Sequence, residues 1–134
     1  FKGYTKRVVE NARALAAALT ERGFMVVSGG TDNHLMLVDL RNRGLTGKVA
    51  QTALDEAAIT VNKNTVPKET QSPFVTSGVR IGTSAVTTRG MGPKEMATIA
   101  GLIDRVLRAV DDASVAAAVR DDVRALARAF PLYA

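Results

Sequence analysis

The sequence predicts a single α+β domain in which a small, mainly antiparallel sheet is covered by helices on one side. Segments with apolar residues three and four positions apart, the spacing typical of amphipathic helices, occur at the beginning, in the middle and at the end of the chain. Between them lie short apolar runs bounded by glycine, asparagine and proline, which is typical of short strands and turns. At 134 residues, the chain is long enough to enclose one hydrophobic core and too short for two.

The first segment is predicted to be an amphipathic helix that ends at Gly23, because glycine readily adopts the left-handed conformation that closes helices. Its apolar stripe consists of Tyr4, Val8, Ala12, Leu15 and Leu19. The helix begins at Phe1 without a capping residue, which suggests a cut through a longer protein, although removal of a tag would leave a similar end.

Two strands are predicted to follow as a hairpin with a long loop. Residues 24–27 and 34–40 form the apolar runs, and the turn-forming residues 28–33 separate them. His34 begins the second strand. Since the chain has one histidine and no cysteine, we expect His34 to be a half-buried structural residue and assign it no role.

The next part of the chain contains a predicted helix, a third strand and a polar loop. Thr46 is a candidate N-cap for a helix whose apolar stripe comprises Val49, Ala50, Ala53, Leu54 and Ala57. Residues 59–61 are expected to form the strand, and the loop that follows carries Asn62, Lys63 and Asn64 before Pro67. Such a loop is either a plain surface connection or a site that recognises a polar ring, and its residues leave both open.

Arg80 is the strongest candidate for a binding residue. Val79 and Ile81 are expected to point to one face of a strand, which places the Arg80 side chain on the other face. Glycines on either side, Gly78 and Gly82, keep its surroundings open. Because a guanidinium is planar and permanently charged, this position is predicted to bind a carboxylate.

Two further helices are predicted to complete the domain. The first begins at Gly92 and Pro93, since proline fits the first turn of a helix. Its apolar stripe comprises Met96, Ile99, Ile103, Val106, Leu107 and Val110. Asp111 and Asp112 interrupt the pattern. The final helix is predicted to end at Pro131. Its core-facing residues are Val115, Val119, Val123, Leu126 and Phe130.

Composition and charge narrow the functional classes. The absence of cysteine excludes disulfides and thiolate metal sites and fits a reducing compartment, so we expect a cytoplasmic protein. No apolar run approaches the roughly 20 residues that cross a bilayer. The net charge of +5 points toward nucleic acid or anionic ligands. However, acidic residues sit among most of the basic ones, and no basic run contains stacking aromatics, so we do not expect a nucleic-acid groove.

Four segments carry a resemblance to a known family. They are Ser28-Gly-Gly-Thr-Asp-Asn-His-Leu-Met-Leu-Val-Asp-Leu40, Ile59-Thr-Val-Asn-Lys-Asn64, Ser72-Pro-Phe-Val-Thr-Ser-Gly-Val-Arg80 and Gly82-Thr-Ser-Ala-Val-Thr-Thr-Arg-Gly90. In this order they closely resemble the C-terminal portion of serine hydroxymethyltransferase, and they span most of the chain.

The resemblance implies a pyridoxal-phosphate enzyme of the aspartate-aminotransferase fold type, which moves a one-carbon unit between serine and tetrahydrofolate and leaves glycine. It implies that Arg80 binds the amino-acid carboxylate. The folate site that it implies is lined by Asn64, Ser72, Pro73 and Phe74. Arg89 matches a further arginine of the family, for which a supporting role is expected. The family often has proline where this chain has Ser84, a departure expected to loosen one turn without affecting Arg80.

By the same resemblance, residues 1–134 correspond to the small C-terminal domain. The large domain, with the Schiff-base lysine, the aspartate facing the pyridine nitrogen and the group stacked on the ring, is then absent. We expect the chain alone to contain no catalytic and no cofactor-binding residue and to be inactive. The family forms dimers and larger assemblies, so a homodimer is expected. Without the large domain, a strand edge and a surface near Tyr4, Val8 and Leu15 are expected to promote self-association.

A second hypothesis is a stand-alone basic binding module that uses this fold to hold folate, an amino acid or nucleic acid. The abrupt start of the first helix at Phe1 favours the fragment over the module. A long upstream reading frame in the source would exclude the module.

Overall fold

The computed structural model describes residues 2–27 and 35–131. The elements, in chain order, are α1 (Lys2–Glu21), β1 (Met25–Val26), β2 (Leu35–Asp39), α2 (Gly47–Glu56), β3 (Asn62–Asn64), β4 (Gly78–Gly82), α3 (Ser84–Thr88), α4 (Pro93–Leu107) and α5 (Ala113–Ala129). A short 3-10 helix, Arg41–Arg43, follows β2. His34 and the predicted turn 28–33 lie outside the described residues.

The strands form an antiparallel sheet with the order β1-β2-β4-β3. Val38 pairs with Val79 and Met36 pairs with Ile81, and these four side chains are buried on one face beneath the helices. The other face, on which Leu37 pairs with Arg80, is open. The predicted α+β class, with helices on one side of a small antiparallel sheet, is confirmed.

The helix α1 packs mainly against α4 and α3. Its predicted stripe is confirmed, because Val8 and Leu15 are only 6% and 2% exposed. The Tyr4 hydroxyl donates to the carbonyl of Ser84 at 3.2 Å and lies 3.0 Å from Thr88 Oγ1. The expectation of an uncovered surface near Tyr4, Val8 and Leu15 is therefore wrong, because the chain covers this face of α1 with its own residues.

Local signals for helix ends are confirmed at several positions. Gly23, two residues after the end of α1, has φ +88°, and Thr46 Oγ1 accepts a hydrogen bond from the N–H of Val49 at 3.2 Å. At the start of α4, the N–H of Gly92 donates to Glu95 Oε1 at 2.8 Å. Val49 itself, predicted to face the core, is 43% exposed because it lies in the first turn of α2, on the solvent side.

The third strand lies later in the chain than predicted. Residues 59–61 were expected to form it, but the strand is Asn62–Asn64, within the predicted polar loop. Ala58 adopts φ +65°, and the N–H of Ile59 donates to the carbonyl of Leu54 at 2.8 Å. These residues close α2 in the manner of a C-terminal helix cap. The chain can therefore enter the sheet only after them.

The sequence prediction missed one further helix and predicted another correctly. The short helix α3 was not predicted, and it is tied to α1 because Asn11 Nδ2 donates to Thr87 Oγ1 at 2.8 Å and to the carbonyl of Met91 at 2.9 Å. The last helix, α5, forms as predicted, but Val119 is its fully buried residue. The other members of its stripe are half-buried against the core.

Candidate functional site

Arg80 projects from the centre of β4 onto the open face of the sheet. Its neighbours across the strands are Leu37 on β2 and Asn62 on β3. Arg80 and Asn62 are exposed, and Leu37 is half-buried. The alternation predicted from Val79 and Ile81 is confirmed, since both of these side chains point away from Arg80 and are buried.

The Arg80 guanidinium forms no ion pair or hydrogen bond with residues 2–27 and 35–131. The nearest acidic residue in the strand register is Asp39, on the same face of β2. Arg41 occupies this carboxylate: its Nε lies 3.1 Å and 3.2 Å from the two oxygens, and its Nη2 lies 2.7 Å from Oδ2. The hydrogen bonds from Arg41 hold the pKa of Asp39 below its ordinary value, although burial opposes this. Arg80 is thus available to an external anion.

Gly78 is required because the loop after β3 crosses directly over it. A Cβ atom at this position would lie 2.5 Å from Val66 Cγ1 and 2.7 Å from the carbonyl oxygen of Val38. The prediction that glycine keeps the surroundings of Arg80 open is therefore wrong at Gly78. Here glycine instead allows Val66 to cover one end of the open face.

The carboxylate of Glu69 organises the loop 65–77, which lies against this covered end. Oε1 accepts from the N–H groups of Val66 at 3.3 Å and Ser77 at 2.8 Å. Oε2 accepts from the N–H groups of Thr70 at 3.0 Å and Gln71 at 3.3 Å, and from the Ser77 hydroxyl. Desolvation raises the pKa of Glu69, but the hydrogen bonds outweigh it and lower the pKa from 4.5 to about 2. The loop is therefore built around a carboxylate that is ionised at neutral pH.

Two other elements fix this loop in place. Arg41 donates from Nη1 to the carbonyl of Lys68 at 2.9 Å and from Nη2 to that of Pro67 at 3.1 Å. At the other end of the loop, the first N–H groups of α2 donate to the carbonyls of Thr76 and Val75 at 3.1 Å and 3.0 Å. A Cβ at Gly47, the first residue of α2, would lie 2.1 Å from Thr76 Oγ1. Glycine thus permits this close approach.

The four predicted folate-site residues lie on β3 and on this loop. Asn64 is half-buried and donates from Nδ2 to the carbonyl of Thr65 at 2.9 Å, which leaves its Oδ1 and one N–H group available. Ser72 begins a turn in which the N–H of Val75 donates to its carbonyl at 3.1 Å. Pro73 occupies the second position of the turn, where its fixed φ is favoured. Phe74 follows and is 80% exposed.

Arg89 has a structural contact that the sequence did not indicate. Its Nη1 donates to the carbonyls of Ala127 at 3.3 Å and Phe130 at 2.9 Å, at the C-terminal end of α5. It lies after α3 and is not on the open face with Arg80.

Sequence reasoning missed the residues that support the site, above all Arg41, Gly47 and Glu69. Gly47 followed a recognisable N-cap, Thr46, but its close contact with Thr76 depends on a long-range approach of two backbones. Glu69 lies in the polar stretch Lys-Glu-Thr, where a glutamate is expected on any surface loop. No local signal distinguished it.

Two further findings concern possible metal sites and membrane-spanning helices in the described part of the chain. Residues 2–27 and 35–131 contain no group of three or more histidine, cysteine, aspartate or glutamate side chains arranged to hold a metal ion. None of the helices in this part combines the length and apolar character needed to span a membrane.

A comparison with protein families adds to this geometry. The family model described as serine hydroxymethyltransferase matches residues 1–103. The match extends from α1 into α4 and contains the whole sheet, Arg80 and the loop 65–77. The end of α4 and all of α5 lie beyond it.

Proposed function

The chain belongs to the serine hydroxymethyltransferase family, and on that premise we propose that it is the small C-terminal domain of such an enzyme. This family generally uses pyridoxal phosphate and tetrahydrofolate, so the parent protein is a pyridoxal-phosphate-dependent transferase. The chain would supply the arginine that binds the amino-acid carboxylate and one wall of the folate site. The parent enzyme would be cytoplasmic and homodimeric.

Arg80 carries the proposal for the amino-acid site. It is exposed at the centre of the open face, and the nearest carboxylate in the register, Asp39, is occupied by Arg41. A guanidinium can bind both oxygens of a carboxylate at once, which fixes the orientation of serine or glycine as well as its position. The remainder of the substrate would then point away from the sheet, toward the rest of the enzyme.

Within the described sheet, no lysine lies beside Arg80 where it could anchor pyridoxal phosphate covalently. Beside Arg80 on the open face, the register places Leu37 and Asn62. Lys63, the lysine within the described sheet, pairs with Val79 and so lies on the opposite face. We therefore infer that the large domain holds the cofactor and that the chain alone is inactive.

The proposed folate site uses a different part of the same face. Asn64 has a free amide oxygen that could accept from a ring N–H group, and the exposed Phe74 ring offers a flat apolar surface for stacking. The turn at Ser72 and Pro73 would hold Phe74 in position. The carbonyl of Ser72 is held by a hydrogen bond from Val75, and the ring of Pro73 fixes its own φ angle.

The experiment that tests the amino-acid site is the substitution Arg80→Lys in the full-length enzyme. Lysine retains the charge and loses the forked geometry, so the affinity for serine should fall roughly tenfold or more. Arg124→Lys, at an exposed position on α5, is the matched control and should leave serine affinity unchanged. Serinamide, which lacks the carboxylate, should bind weakly and be insensitive to Arg80→Lys. Normal serine affinity in that variant would refute the proposed role.

A further inference from the structure

A cavity of about 330 Å³ lies on the helix side of the sheet, opposite the face that carries Arg80. It opens to solvent on one side and is lined by residues of α1, β4, α3, α4 and α5 and by residues 58–61. Buried core side chains, including Leu15, Ile81 and Met96, form its interior. Exposed residues such as Thr60 stand at its mouth. Its volume falls at the lower end of the range for small-molecule sites, roughly 300–1,000 Å³.

Among the described residues that line this cavity, Arg89 is the charged one, and none is acidic. Its Nη1 donates to the carbonyls of Ala127 and Phe130. The C-terminal end of a helix carries a partial charge of only about half an elementary unit, so these carbonyls leave much of the arginine charge uncompensated. Among residues 2–27 and 35–131, Nε and Nη2 of Arg89 have no hydrogen-bond acceptor.

The apolar walls and the charge of Arg89 restrict what can occupy the cavity. Serine could place its carboxylate on Arg89, but its ammonium and hydroxyl groups would lose their hydration against apolar walls. A purely apolar molecule would leave the charge of Arg89 without a counterion. A molecule with an apolar body and one carboxylate satisfies both conditions.

We propose that this cavity binds an amphipathic organic anion, with the apolar body between α4 and α5 and the carboxylate on Arg89. The site is separate from the proposed amino-acid site because it lies on the other face of the sheet. Val123, Leu126 and Ala127, which form one wall, lie outside the part of the chain that the family model matches.

Octanoate is a suitable probe, because its eight carbons form a flexible apolar chain that ends in one carboxylate. The chain has four methionines, which provide reporters for NMR of selectively labelled methyl groups. Met91 and Met96 line the cavity, whereas Met25 is on the open face and Met36 lies in the core outside the lining. Octanoate should shift the methyl signals of Met91 and Met96 in a saturable manner and leave that of Met25 unchanged.

Two ligands of matched length test the role of charge in the unmodified chain. 1-Octanol is neutral and octylammonium is cationic, so octanoate should bind about tenfold or more tightly than octanol and octylammonium should bind least. Equal affinities for the three would overturn the proposal. Shifts led by Met25 would do the same, since they would place binding on the open sheet face. An absence of saturable shifts below the micelle concentration of octanoate would also overturn it.

Substitution of the arginine provides an independent test. Arg89→Gln should remove the advantage of octanoate over octanol while octanol affinity stays the same. Arg124→Gln, on α5 but outside the cavity lining, should preserve that advantage. An undiminished preference for octanoate in Arg89→Gln would refute the role of Arg89. If this variant fails to fold because the cap of α5 is lost, the ligand comparison in the unmodified chain still decides the proposal.

Discussion

Glu69 and Ser77 are joined through both donors of the serine: the backbone N–H donates to Oε1 at 2.8 Å, and the hydroxyl donates to Oε2. Eight positions separate these residues in sequence, and the proposed folate-binding turn lies between them. Ser77 directly precedes Gly78, the first residue of β4. The ionised carboxylate therefore connects the shape of the loop to the strand that carries Arg80.

The first prediction concerns the pH dependence of this loop. Because folding lowers the pKa of Glu69 from 4.5 to about 2, its ionisation stabilises the folded loop. This contribution is complete above the ordinary pKa of 4.5 and disappears as the pH falls toward about 2. A carboxyl NMR titration should give an apparent pKa near 2 for Glu69, and the exchange protection of the Ser77 amide should fall over the same interval.

A neutral variant provides the control for this prediction. Glu69→Gln should expose the Ser77 amide to exchange at neutral pH and remove the acid-dependent change. Glu21→Gln, at an exposed position at the end of α1, should behave like the unmodified chain. Titration of Glu69 near 4.5 would contradict the prediction.

The second prediction is that Gly78→Ala destabilises the domain. The added Cβ would lie 2.5 Å from Val66 Cγ1 and 2.7 Å from a backbone oxygen, so the strand or the loop must shift. Overpacking of this kind costs roughly 1–3 kcal/mol in the free energy of unfolding, measurable by urea denaturation. The same measurement on Gly3→Ala should show no loss, because the nearest atom there, Arg7 Nη1, lies 3.4 Å away at the end of a long side chain. Equal stability of the two variants would show that the loop does not press on β4.

The third prediction compares two aspartates that both pair with arginine. Asp104 is 4% exposed and accepts from Arg43, Arg22 and Arg108, which joins the end of α1 and the 3-10 helix to α4. Asp104→Asn leaves these guanidinium groups without a counterion and should lower the free energy of unfolding by about 2 kcal/mol. The loss is no larger because water can still solvate the more exposed of these guanidinium groups. Asp122 and Arg105 form an exposed pair at 2.7 Å, and Asp122→Asn should cost less than about 1 kcal/mol. Similar losses of stability in both variants would show that burial does not make the ion pairs of Asp104 more important than the exposed pair.

The parts of the fold that the sequence predicted correctly depend on local chemistry. The stripes of α1 and α4, the cap at Thr46 and the stop at Gly23 each follow from residues within one or two helical turns. The alternation around Arg80 depends in the same way on the two-residue period of a strand. Such features can be predicted because no distant residue is needed to produce them.

The features that the sequence did not predict depend on contacts between distant segments. The third strand begins at Asn62 because Ala58 and Ile59 close α2, although an alanine is an uncommon residue at a positive φ. The crossing of Val66 over Gly78 and the binding of Ser77 by Glu69 also join separate parts of the chain. The sequence predicted which face of the sheet carries Arg80. It could not predict that Arg41 would bind Asp39, so that Arg80 is left without a partner among the described residues.

The last prediction separates stability from binding at Phe74. Because its side chain is 80% exposed, Phe74→Ala should change the free energy of unfolding by no more than about 0.5 kcal/mol. If the ring stacks on folate in the full-length enzyme, the same change should weaken tetrahydrofolate binding by about 0.5–1.5 kcal/mol and leave serine affinity unchanged. Phe24, 3% exposed beneath the guanidinium of Arg43, offers the opposite case: Phe24→Ala should cost roughly 3 kcal/mol in stability. Calorimetric titration with tetrahydrofolate, together with urea denaturation, measures both quantities. Unchanged folate affinity in Phe74→Ala would remove this residue from the proposed folate site and leave the assignment of Arg80 intact.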